Sequence, residues 1–96
     1  MPSYRVVLTV GRVHPGQNAK AVLPDAARAV EQFSHVEAKS VNIIKGRAQA
    51  TVRFEAEDDS EARPIAAAAA EAAGRSAEVL EVQLRRGAGT RWPLVA

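Results

Sequence analysis

Residues 36–55, VEAKSVNIIKGRAQATVRFE, decide how this chain folds. In the second half of the stretch Ala48, Ala50, Val52 and Phe54 alternate strictly with Arg47, Gln49, Thr51, Arg53 and Glu55. A period of two is the signature of a strand with one face buried and the other in water. Lys45-Gly46 stands just before it, and a glycine that accepts positive φ at that place predicts the tip of a tight hairpin. Val36–Ile44 is then the other arm. The parity of its apolar positions shifts between Ala38 and Val41, as a β-bulge would cause.

Outward from this hairpin, each flank supplies a strand and a helix. Tyr4–Val10 places Val6, Leu8 and Val10 on one side and Arg5, Val7 and Thr9 on the other, a half-buried strand. Residues 11–18, with Pro15-Gly16, read as a loop. Pro24 suits the first position of a helix, where its missing N–H needs no partner, and Leu23 before it is pushed from helical dihedrals. Residues 19–23 are therefore loop or a short turn, and the helix is expected over Pro24–Phe33, with Ala26, Ala27, Val30 and Phe33 on its apolar side. After the hairpin, Asp58 with Glu61 three residues on predicts a capped start to an alanine-rich helix through Ile65 to Ala73, ended by Gly74. Pro64 lies early enough in it to be tolerated. Ala77–Arg86 is the last strand, with Leu80, Val82 and Leu84 expected to face inward. The order βαββαβ predicts an α+β ferredoxin-like sandwich, a four-stranded antiparallel sheet with two helices on one face. Residues 1–86 form its single domain and residues 87–96 a C-terminal tail.

Ninety-six residues make a small core, burying about 60–65% of the unfolded surface. Hydrophobic residues reach 47%, yet aromatics are only 4%, so large core anchors are few. The absence of cysteine removes disulfides, thiolate metal sites and thiol nucleophiles. No apolar run approaches the ~20 residues of a membrane span, and Met1-Pro2-Ser3-Tyr4-Arg5 does not read as a secretory signal, so a cytoplasmic location without membrane contact is expected. Thirteen basic and eleven acidic residues are interspersed, which argues against a nucleic-acid partner.

Val30, Val36, Val41-Asn42-Ile43, Gly46, Ala48, Val52, Phe54, Ile65 and Ala73-Gly74 follow one another in an order and spacing that resembles the heavy-metal-associated domain, over roughly half the chain. That family binds metal through a Cys-x-x-Cys pair before its first helix, since soft thiolates select Cu(I). Here Ala19 and Val22 stand at those places, so the resemblance implies the fold without the metal site. Pro15-Gly16 followed by Ala19 and Val22 is also similar to the start of the first helix in ACT domains. That likeness implies a small-ligand site around His14, Pro15, Gly16 and Asn18, although the interval to Val36 is longer than that family's. Gly11-Arg12-Val13-His14-Pro15 has a local likeness to the phosphorylated loop of phosphocarrier proteins, with His14 near the positive end of the first helix. Nothing downstream continues it. His35 reads as a partner for the C-terminal end of the same helix, and two separated histidines fall short of a zinc site.

The outer face of the sheet should carry Arg5, Thr9, Arg47, Gln49, Thr51, Arg53, Gln83 and Arg85. It lacks the stacking aromatics of an RNA-binding sheet, which leaves a solvated polar face or weak phosphate contact as its use. Ser40, Ser60 and Ser76 have no nucleophile context, and Asp58-Asp59 reads as a helix cap. The sequence thus favours a non-catalytic interaction or accessory domain acting through protein contacts as a homodimer, with no cofactor and no metal. The alternatives are an ACT-like regulatory ligand-binding domain and, third, a small ferredoxin-like enzyme. Trp92 and Leu94, in an apolar tail behind a Gly87–Gly89 hinge, are expected to dock, on a second subunit in preference to their own sheet.

Overall fold

The computed structural model describes residues 1–95. Its elements run β1 (Ser3–Val13), a 3-10 turn (Ala19–Ala21), α1 (Val22–Glu31), β2 (Val36–Ile44), β3 (Arg47–Glu55), α2 (Asp59–Gly74) and β4 (Ala77–Gly87). The four strands form one antiparallel sheet in the order β2-β3-β1-β4, the ferredoxin-like arrangement. Lys45 and Gly46 both take positive φ, 52° and 78°, at the β2–β3 tip, the mirror-image turn whose twist matches that of the strands. The bulge in β2 falls between Val36 and Ala38, nearer the start of the strand than its apolar parity suggested.

Both helices pack on one face. Tyr4, Val6, Leu8, Val52 and Phe54 of the central strands are buried against Ala26 and Val30 of α1 and against Ala62, Ile65, Ala69 and Ala73 of α2. Tyr4 and Phe54 pair across β1 and β3 and stack with ring centroids 5.9 Å apart. The alanines let the helices approach closely, so these two rings fill most of what a larger core would spread over many side chains.

Four local features differ from expectation. Helix α1 begins at Val22, two residues early, with Leu23 and Pro24 inside its first turn; N–H groups there have no intrahelical acceptor, so the proline breaks no bond. Phe33 falls beyond the helix and is 64% exposed. Gly74 is the last residue of α2, and the chain leaves through Arg75 in right-handed conformation. Leu80 and Val82 are nearly half exposed. Strand β4 is the outermost strand on its side, a register shift lies beside Leu80, and beyond Arg63 the α2 residues that face Val82 and Leu84 are the alanines Ala66, Ala67 and Ala70. These side chains are too short to cover the strand, which leaves an open apolar trough of about 500 Å³. The capping expectation holds at α2, where the Asp58 carboxylate accepts from the Glu61 N–H at 3.0 Å.

Candidate interaction surfaces and ligand site

Strand β1 extends to Val13, which pairs with Ala77, and this carries the following loop to the far end of α2. His14 donates its backbone N–H to the Ser76 carbonyl and its ring Nε2–H to the Gly74 carbonyl, both at 2.9 Å. The imidazole thus sits at the negative end of α2 and not at the positive end of α1, so the phosphocarrier-like placement does not form. Pro15, Gly16 and Asn18 are exposed. Gly16 has φ 79° with open space where a Cβ would stand, and the Asn18 side chain accepts from the Lys20 N–H, capping the 3-10 turn. His14 therefore faces the α2–β4 junction while Asn18 serves its own turn. His35 is exposed beyond the end of α1. Among the described residues no group of three or more His, Cys, Asp or Glu is placed to hold a metal ion, and no helix is long and apolar enough to cross a membrane.

The C-terminal residues follow a course that periodicity could not reveal. Gly89 takes φ 59°, and paired bonds between Ala88 and Arg91 close a two-residue turn. The chain then runs back along β4: Arg86 N–H donates to the Pro93 carbonyl at 3.1 Å and Val95 N–H to the Leu84 carbonyl at 2.8 Å. Trp92 is carried under the outer face of its own sheet, where it is 9% exposed and its indole N–H donates to the Gly89 carbonyl. The Arg5 guanidinium lies 4.0 Å from the indole centroid and that of Arg53 5.0 Å. Arg85 holds the tail from the strand side, donating to the Trp92 carbonyl at 2.9 Å. Leu94 remains 56% exposed. Gly87 is required for this course, because a Cβ there would meet the Arg91 carbonyl oxygen at 1.9 Å.

The outer face bears the residues anticipated for it, now with a register. Arg5 stands opposite Arg53 on one side and Arg85 on the other, so three arginines cross the sheet in one row. Glu37 lies 3.3 Å from Arg53 Nε, an ion pair whose angle does not make a hydrogen bond. Next to Arg5 and Arg53 an open basin of about 330 Å³ is lined also by Ala38, Lys39, Ser40, Asn42 and Thr51.

The two sheet edges are unlike. The tail covers only the end of the β4 edge, from Leu84 onward, and the earlier part of that strand carries Glu78 and Glu81. The β2 edge is bare and presents Val41, Ile43 and Ile44 at 50%, 68% and 46% exposure.

A further polar cluster lies at the opposite end of the core. The buried Tyr4 hydroxyl donates to Asp59 at 2.7 Å, and Arg86 reaches the same carboxylate at 3.3 Å. Burial, reinforced by the bond to Asp59, pushes the Tyr4 phenol up to about 12. The Tyr4 hydroxyl, with Arg86 beside it, holds the Asp59 carboxyl below its usual range. A phenol so shifted keeps its proton at neutral pH, and the cluster fastens β1 to α2.

No family model matches the chain, and no curated protein matches it.

Proposed function

We propose that this chain is a small non-catalytic interaction module of the cytoplasm that works through protein contacts, and that its partner is a second copy of itself joined along β2. The observation that carries the proposal is the difference between the edges. A free edge offers a row of unpaired backbone groups, and proteins cover, bend or charge such edges unless they are to be paired. The first half of β2 is guarded by a bulge, Glu37 and Lys39; the second half, Ser40–Ile44, has neither charge nor proline. An antiparallel pairing about Asn42 sets Val41 opposite the partner's Ile43, so apolar meets apolar twice across the same axis.

The test is mass by light scattering. The full chain is expected to be a dimer that dissociates on dilution, and Ile43→Lys a folded monomer at every concentration. A full-length protein that stays monomeric at high concentration, or an Ile43→Lys variant that still dimerises, contradicts the proposal. The small-ligand reading of the His14–Asn18 loop has weaker support, because the His14 ring is occupied by Gly74. A thermal shift with a small metabolite that Gly16→Val abolishes would revive it.

A further inference from the structure

We infer that the basin on the outer face, between Arg5, Arg53, Ser40, Asn42 and Thr51, is a binding site for a small phosphate monoester. The inference does not require the pairing of β2, although Ser40 and Asn42 of that strand border both.

The argument starts from an electrostatic cost. Like charges directly opposite across strands are unfavourable, and Arg5 has an arginine opposite it on both sides. Three cations in a row meet one carboxylate, Glu37, which sits on Arg53. Arg85 spends its donors on the Trp92 carbonyl and on Gln83. Among the described residues Arg5 has no carboxylate or carbonyl partner; its one contact is the face of Trp92.

That contact prepares it for an anion. A guanidinium held over an indole face is restrained in position without using up its N–H donors, since the ring accepts no conventional hydrogen bond from them. Arg5 and Arg53 lie over the same ring, so the tail holds two charged forks in place before any ligand arrives. The other walls add neutral donors: the hydroxyls of Ser40 and Thr51 and the amide of Asn42. Forked cations with hydroxyl and amide donors suit the several oxygens and double charge of a phosphate monoester better than a monocarboxylate. The volume of about 330 Å³ suits a small ligand. A nucleic-acid strand is disfavoured, because the one aromatic ring on this face is covered by arginines and cannot stack on bases.

Calorimetry on the full chain in about 150 mM NaCl, a salt level that screens loose surface attraction, tests the site with glycerol 3-phosphate, inorganic phosphate, acetate and an oligothymidylate as probes. The expected result is one-to-one binding of glycerol 3-phosphate with a dissociation constant below about 1 mM. Phosphate should bind more weakly and acetate should not bind. Arg5→Gln should weaken glycerol 3-phosphate binding at least tenfold while unfolding, in phosphate-free buffer, near the wild-type temperature, since relief of repulsion offsets the lost contact with Trp92. Trp92→Ala should weaken binding as well, by releasing both guanidinium groups. Absence of binding, binding undiminished in a folded Arg5→Gln, acetate binding as tightly, or an oligothymidylate binding more tightly than glycerol 3-phosphate would each overturn the inference.

Discussion

Tyr4 serves two environments at once. Its ring stacks on Phe54 in a core made largely of alanine and valine, and its hydroxyl reaches Asp59 at the start of α2. Tyr4 continues the alternation of Val6, Leu8 and Val10 onto the inward side of β1, but the hydroxyl's partner lies 55 residues away and no local pattern announces it. The phenol, raised from 10.0 to about 12 in the fold, contributes stability that is complete below pH 10 and is lost as pH climbs from 10 through 12. Asp59, lowered from 3.8, contributes in the opposite sense: its share is present above that value and lost as pH falls through the folded-state pKa. Denaturant melts of the wild type are expected to weaken above pH 10. In Tyr4→Phe that loss should shrink, at a cost of about 1 kcal/mol at neutral pH for the missing hydrogen bond. An unchanged alkaline profile would place the proton elsewhere. Phe54→Ala is expected to remove about 3–5 kcal/mol, a large part of the stability of so small a domain. Chemical denaturation measures it.

Elements were readable wherever a short-range rule decided them. The β2–β3 hairpin follows from strict alternation and a Lys-Gly tip, and the start of α2 from Asp58 and Glu61. Asp58→Ala should therefore cost about 1 kcal/mol in a thermal or chemical melt, the usual price of a lost N-cap. The start of α1 was placed late because a proline at the first helical position and one in the third are alike in lacking a donor that the helix does not use there. Leu80 and Val82 were placed inward by parity, which is silent on whether a helix with alanine side chains can cover an edge strand. The tail was the least readable element. Its turn depends on Gly89, its close approach on Gly87, and its anchor on arginines from β1 and β3 that come together only in the sheet. Gly87→Ala is expected to expel the tail while β1–β4 stay folded, since the new methyl group would overlap the Arg91 carbonyl. Tryptophan emission reports this directly, the chain having one tryptophan: a red shift with far-ultraviolet dichroism preserved is the expected outcome. A blue-shifted, unaltered spectrum would mean that the backbone there yields.

At the scale of the whole molecule the two faces and two edges of one sheet differ in what they present. The inner face holds the core, and the outer face holds Trp92 and a row of arginines. One edge is closed by the tail over its last residues, and the other is bare, the edge along which pairing is proposed. The outer-face residues were identifiable from alternation alone, but their cross-strand register and the ring beneath them belong to the tertiary fold. That an arginine row would be organised by a tryptophan from the tail could not be read from spacing. Val41, Ile43 and Ile44 are legible as apolar positions of the hairpin's first arm, and it takes the strand order to make that arm an edge. Since the chain has no cysteine, a single thiol can mark that edge without interference. In an antiparallel pairing centred on Asn42 the two copies of that residue face each other across the axis, within the span a disulfide can bridge. Asn42→Cys under mild oxidation is therefore the most direct measurement, read by mass on non-reducing gels beside Leu94→Cys at the covered edge. The account predicts rapid, near-complete dimer crosslinking of Asn42→Cys and little of Leu94→Cys; crosslinking of Leu94→Cys alone, or of both only at the slow rate of random collision, would contradict it.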